Sequence, residues 1–350
     1  MEEYSRMRFS RFAFISALIC VVLGCSGPST PPGEPAFQHD ASGEVRPWTN
    51  EEFDAADEKF TFAVFSDLTG GERERIFEIA IAQLSLLRPE LIINVGDLIE
   101  GSTADRAVVD AQWDSFDERA SRAKAPVFYV GGNHDLTGEF MRRVWAERLG
   151  RNYYHFVYKN VLFLVLDTED NTADRMQEIY EARKEALKVF AEKGEEAFAK
   201  TTYANLPELP AGNITEAQSK YILEAIAANP NVRWTFLFMH KAPWLREDLV
   251  AFTTVEDALA DRPYTVFHGH EHTYGYAERR GRDYIRLATT GGQQVLEKGR
   301  SMDQIALVTV DDNGVDIANL LMKGILDKTG RIPLGGDDVC FEMAICGGDQ

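Results

Sequence analysis

Short apolar runs alternate along the chain with longer stretches in which apolar residues recur every three to four positions. Residues 60–66 (FTFAVFS) are apolar and aromatic-rich and predict a buried strand. In 73–87, Ile76, Ile79, Ala80, Leu84 and Leu87 fall on one helical face, and Pro89 stops the helix. Runs at 91–95 (LIINV) and 126–130 (PVFYV) predict two more strands, with helices over 104–123 and 139–149. This β-α-β alternation predicts a mostly parallel sheet. Residues 153–158 and 161–167 flank Lys159-Asn160 as a hairpin. The charged, Ala-rich stretch 172–200 predicts a helical insert. Thr215 and Gln218 have the spacing of a capping box for a helix ending at Ala228. Strands follow at 233–239, 264–267, 274–278 and 284–288, and a last hairpin joins 304–310 to 315–321. From Lys323 onward the chain is polar, without a clear period.

Composition adds two exclusions. With 350 residues, of which 45% are hydrophobic, the chain can bury a sizeable core and is not a disordered segment. Lys and Arg number 37 against 56 Asp and Glu, a net charge of −19. So acidic a surface repels polyanions and argues against nucleic acid as a partner.

The N-terminus speaks to the compartment. Arg6, Arg8 and Arg11 precede the apolar stretch 12–23, which is too short for a spanning helix and has the layout of a secretory signal. It ends Val22-Leu23-Gly24-Cys25, which resembles a bacterial lipobox with Cys25 as the lipidated residue. The Pro/Gly/Ser-rich stretch 26–35 then reads as a tether. The expected organisation is a signal peptide over 1–24, lipidated Cys25 and a flexible tether over 25–57, one domain over 58–322 with an insert at 172–212, and a tail over 323–350. The expected location is the cell envelope, with the membrane as a partner through the lipid. Cys340 and Cys346 could close a small disulfide loop in such an oxidising compartment.

Candidate chemistry sits where the apolar strands end. The first strand runs into Ser66-Asp67-Leu68-Thr69-Gly70, the second into Gly96-Asp97-Leu98-Ile99-Glu100, and the third into Gly132-Asn133-His134-Asp135. Downstream, His240 follows one strand and His268-Gly269-His270-Glu271-His272 another. In open α/β sheets, loops at the carboxyl ends of strands form the binding crevice. Taken singly, each Asp or Asn is a turn residue and each His a packed one. Taken as a set, they bring carboxylates and imidazoles to one edge, a donor mixture that suits zinc, iron or manganese.

GDxxE, GNHD, an isolated His after a strand, and GHxH follow one another in the order of the calcineurin-like metallophosphoesterases, and residues 60–320 resemble that family. The resemblance implies an α/β fold in which a two-sheet β-sandwich is flanked by helices, with the metal site at the strand C-terminal ends. It implies two divalent or trivalent metal ions (Mn, Fe or Zn). By position, Asp97 resembles the bridging carboxylate. Asn133, His240 and His270 resemble ligands of the second metal, and Asp67 and His272 ligands of the first. His134 resembles the group that assists the leaving oxygen, with Asp135 orienting it. The implied activity is hydrolysis of a small phosphate mono- or diester by a metal-activated hydroxide. One departure stands out: the family usually has D-x-H in its first motif, and this chain has Asp67-Leu68-Thr69. Either the first metal is held weakly, by Thr69 or without it, or another residue such as Glu100 completes the site, or one tightly bound ion suffices. The alternative function is a catalytically weakened fold that serves as an envelope ligand- or partner-binding lipoprotein.

Overall fold

The computed structural model describes residues 37–41, 45–51, 59–246 and 249–346. The expected signal, Cys25 and the stretch 26–35 lie outside the described residues. Among those described, no helix is long and apolar enough to cross a membrane.

The strands are β1 (Phe37–His39), β2 (Phe60–Phe65), β3 (Leu91–Asn94), β4 (Val127–Phe128), β5 (Tyr154–Tyr158), β6 (Val161–Val165), β7 (Trp234–Phe238), β8 (Tyr264–His268), β9 (Gly275–Arg279), β10 (Arg282–Arg286), β11 (Gln304–Asp311) and β12 (Gly314–Leu321). They build two sheets, ordered β1-β5-β6-β7-β8-β10-β9 and β12-β11-β2-β3-β4. The helices are α1 (Ile76–Leu87), α2 (Arg106–Ala120), α3 (Asn133–Leu136), α4 (Glu139–Arg148), α5 (Ala173–Lys193), α6 (Glu195–Phe198), α7 (Glu216–Ala228), α8 (Val250–Ala258) and α9 (Met343–Cys346).

The layering follows from strand periodicity. Along β6, which is buried throughout, Phe163 faces the inter-sheet core while Leu162 and Leu164 face the outer layer. Phe62 of β2 meets Phe163 and Phe236 edge-on across the sandwich, at 5.3 and 4.9 Å between ring centroids. Helices α1, α2 and α4 cover the outer face of the five-stranded sheet, and α7 and α8 that of the seven-stranded one. Trp113 and Trp145 belong to this packing, edge to face at 5.7 Å.

Three expectations change. The sheets are not mostly parallel. Parallel pairings (β6 with β7, β7 with β8, β8 with β10) occupy the middle of the seven-stranded sheet, and in the five-stranded one they run from β2 through β3 to the β4 edge. Hairpin strands and β1 add antiparallel edges. The stretch before residue 58 is not all tether: β1 pairs with β5, and Trp48 is buried against Phe128 and Tyr154. Nor is the C-terminus a free tail. Ile325, Ile332 and Phe341 bury themselves beside α1, and Cys340 is bonded to Cys346.

The cap of α7 is built differently from a reciprocal box. Thr215 accepts from the Gln218 amide as expected, but the Gln218 side chain turns to the backbone of Asp167, and Asp170 accepts from the Thr215 amide instead. The exchange ties the end of β6 to α7, next to the strand ends that carry the site.

Candidate metal centre

Asp67, Asp97, Asn133, His240, His270 and His272 each stand just past the end of a strand of the sandwich. Two groups of potential ligand atoms lie within 4.8 Å of one another: Asp97, His240 and His270, and Asp67, Asp97 and His272. Asp97 is common to both. Its Oδ2 is 3.1 Å from His240 Nε2, and Asp67 Oδ1 is 3.4 Å from His272 Nε2. Asn133 Oδ1 lies 3.2 Å from the same His240 nitrogen, so the amide joins the group of Asp97, His240 and His270.

Backbone carbonyls fix which ring nitrogen faces inward. His240 Nδ1 donates to Val95 O at 2.8 Å, His272 Nδ1 to Gln293 O at 2.5 Å, and His270 Nε2 to Leu209 O at 2.7 Å. In each ring the other nitrogen is left to coordinate, the arrangement by which outer partners orient metal-binding histidines. The backbone is bent to the same end. Asp67, Asp97, His270 and His272 all have positive φ, at 37°, 58°, 75° and 50°. Such residues cost about 1–3 kcal/mol each and gather at functional sites. A Cβ on Gly132 would run into the Asp97 carboxylate and one on Gly269 into that of Asp67, so both loops can close only with glycine there.

The electrostatics also match a cation site. Burial alone would raise the Asp97 carboxyl, but His240 and His134 beside it hold it well below its usual range. Burial opposes a charged His240 ring, yet Asp97 pushes it up to about 9. Burial, and after it Lys241 and His240, keep His270 well below its ordinary value and hence neutral. Two buried carboxylates thus draw positive charge into a pocket whose rings must shed protons to coordinate, as metal-binding imidazoles do.

The structure reassigns three residues. The Thr69 hydroxyl donates to the carbonyl of Ile99 at 2.9 Å and touches that of Asp97 at 3.3 Å; it braces the Asp97 turn and is not turned to a ligand position. Glu100 accepts from the amides of Gly71 and Glu72 at 3.0 and 2.9 Å, pinning the loop after β2 away from the ligand groups. Asp135 does not orient His134. The turn of α3 sends its carboxylate back to the amides of Asp97, Leu98, Ile99 and Gly132, at 2.8–3.2 Å. His134 is instead seated by Glu100 O, which accepts from Nδ1 at 2.8 Å. Its Nε2 and the His272 ring both approach Gly70, so the two rings open on one space.

Sequence reasoning missed the buried frame behind the ligands. Lys241, next to His240, pairs with Glu169 at 2.9 Å and donates to Glu208 O at 2.9 Å. Arg142 pairs with Asp167 at 2.7 Å. Apart from the HK pair at 240–241, no local pattern marks these residues. His268 is packed edge-on against Trp244 at 5.0 Å. Above the ligands lies a cavity of about 430 Å³ whose lining includes Gly70, His270, His272, Gln293 and Lys298, with Leu209 from the end of the insert.

The calcineurin-like phosphoesterase family model matches residues 60–274, more than half of the chain. The chain belongs to that family. Its members are phosphoric ester hydrolases that normally hold a dimetal centre, and this phosphoesterase has Asp and His groups placed for one. No curated protein sequence matches it significantly. Among solved structures, it is similar to a dimetal phosphatase from Danio rerio, at 15% identity and a TM-score of 0.50, over 75% of this chain and 98% of that one. It is also similar to the purple acid phosphatase PPD1 from yellow lupin, at 12% identity and a TM-score of 0.49, over 75% of this chain and 51% of that one. At such identities the likeness to the Danio rerio protein speaks for the fold.

Proposed function

We propose that this phosphoesterase hydrolyses a small phosphate mono- or diester at a two-metal centre. The observation that carries the reading is the pair of ligand groups sharing Asp97, each ring with its second nitrogen tied to a carbonyl. Asp67, Asp97 and His272 would hold one cation, and Asp97, Asn133, His240 and His270 the other. When bound, such a pair supplies an activated water and neutralises charge on the phosphoryl oxygens. The residues of the chain do the rest. Asp135 and Thr69 hold the 97–99 turn so that the Asp97 carboxylate is presented to both groups. Glu100 O keeps a proton on His134 Nδ1 and leaves Nε2 facing the shared space above Gly70, where the ring, once Nε2 has taken up a second proton, can give that proton to a leaving oxygen and return to the neutral Nδ1–H form.

Turnover of p-nitrophenyl phosphate and bis(p-nitrophenyl) phosphate tests the reading. Chelation should abolish it, and Mn²⁺, Fe²⁺ or Zn²⁺ should restore it. Metal-loaded protein that turns over neither substrate would instead favour a binding role.

The basic and apolar N-terminus ending in Cys25 supports export and lipid anchoring. In cells expressing the full chain, the protein should sediment with membranes, and Cys25→Ser should release it. A wild-type chain already in the soluble fraction would remove the anchor from the proposal.

A further inference from the structure

Helix α5, in the insert, turns Ile179, Arg183 and Ala186 inward. Ile179 and Ala186 are ordinary for a packed stripe; an arginine between them is not. Arg183 is only 5% exposed, yet among the described residues no carboxylate lies within 4.0 Å of it. Even less deeply placed arginines are paired, Arg73 with Asp303 and Arg142 with Asp167. A buried cation without a counter-charge is costly, and such groups are ordinarily paired or bind an anion.

Its one hydrogen bond among the described residues points to the leaving-group side of the site. Nη1 donates to Ser102 Oγ at 2.6 Å; Ser102 Oγ donates to Glu100 O at 3.1 Å; and Glu100 O is the carbonyl that seats His134. The guanidinium is thus three hydrogen bonds from the ring assigned to the leaving oxygen. Beside Arg183 is a cleft of about 20 Å³ with Lys184, Ser102, Thr103, Thr137 and Tyr180 in its lining and no acidic residue. Met141 and Leu187 complete the lining, and Lys184 reaches Glu181 at 4.0 Å, which leaves Arg183 as the cation without a carboxylate beside a set of hydroxyls, an environment that suits an anion in a chain of net charge −19. The cleft admits about one oxygen-sized group.

We propose that Arg183, with Ser102 and Lys184, forms an anion subsite on the leaving-group side, so that the preferred substrate carries a second anionic group there. This rests on the phosphoesterase reading above and adds a substrate class to it: phosphate esters whose leaving group is itself charged. The guanidinium would receive that group by charge-assisted hydrogen bonds from the N–H groups that Ser102 does not use.

The test reads binding, so it stands apart from turnover. Calorimetry on the metal-loaded full chain compares phenylphosphonate with 3- and 4-carboxyphenylphosphonate. A carboxylated ligand should bind wild type at least about tenfold tighter than the plain one, as expected of a buried charge-assisted contact. Arg183→Gln should erase that preference and leave phenylphosphonate affinity within about twofold, and Arg183→Lys should keep part of the preference. Ser102→Ala, which spares the fold of α5, should shrink it. Wild type that does not prefer either carboxylated ligand, or a preference that survives Arg183→Gln, overturns the subsite. Equal losses for all three ligands would do the same, placing Arg183 at the scissile phosphoryl or in the scaffold. Failure to hydrolyse p-nitrophenyl phosphate, by contrast, would count against the catalytic reading alone.

Discussion

Asp97→Ala is expected to give a folded chain that holds neither metal and turns over no phosphate ester. The reason is geometric: one carboxylate serves both ligand groups, so its loss leaves two ligands of three in one group and the two histidines with Asn133 in the other. Asp97 Oδ1 also accepts the His134 amide at 2.9 Å at the start of α3. Removing it should cost stability of about 1–2 kcal/mol through that bond, a loss that denaturant unfolding can separate from the loss of metal. Asp97→Asn sharpens the test, because the amide keeps the shape and can still accept from His134 while removing the bridging charge. Metal content by elemental analysis should fall from about two ions per chain toward none in Ala and to an intermediate level in Asn. If Asp97→Ala kept both its metal and most of its turnover, the bridging assignment would be wrong.

The candidate ligands that the structure gathers were conspicuous in the sequence because each comes soon after an apolar run. β2, β3 and β8 are buried on both faces, so their ends are marked by an abrupt change to Asp, Gly and His. Long-range partners leave no such mark. The strand β1 is three residues in a polar stretch, and it is a strand only because β5, more than a hundred positions on, supplies its hydrogen bonds. The C-terminal segment packs Ile325, Ile332 and Phe341 through short 3₁₀ turns, whose spacing has neither a period of 2 nor of 3.6. Adjacency misled at Asp135: its place beside His134 suggests a partnership, but the α3 turn separates the two side chains and aims the carboxylate at the 97–99 amides. For Glu100 and Thr69 the question was which of them replaces the missing histidine. Both instead brace loops, Glu100 the one at Gly71 and Thr69 the one at Asp97. The first ligand group therefore consists of Asp67, Asp97 and His272 without an imidazole at position 69.

His134→Asn should separate chemistry from metal binding. Its Nδ1 is committed to Glu100 O, and the ring belongs to neither ligand group, so metal content should stay at the wild-type level. An asparagine amide can still reach that carbonyl and preserve the loop, but it cannot give up a proton. Turnover of an ester with a poor leaving group, such as β-glycerophosphate, should fall by about 10²–10⁴-fold, the usual contribution of a positioned general acid. p-Nitrophenolate departs without needing a proton, so the same variant should lose far less on p-nitrophenyl phosphate. The comparison also distinguishes His134 from its neighbours. Glu100→Gln, which keeps the backbone carbonyl and changes only the side chain at Gly71 and Glu72, should slow both substrates alike by loosening the loop. If His134→Asn also slowed both substrates equally, the ring would be holding the phosphoryl group in place and not donating to the leaving oxygen. The proton would then have to reach the leaving group from solvent, and the carbonyl at Glu100 would serve to aim a hydrogen-bond donor instead of an acid.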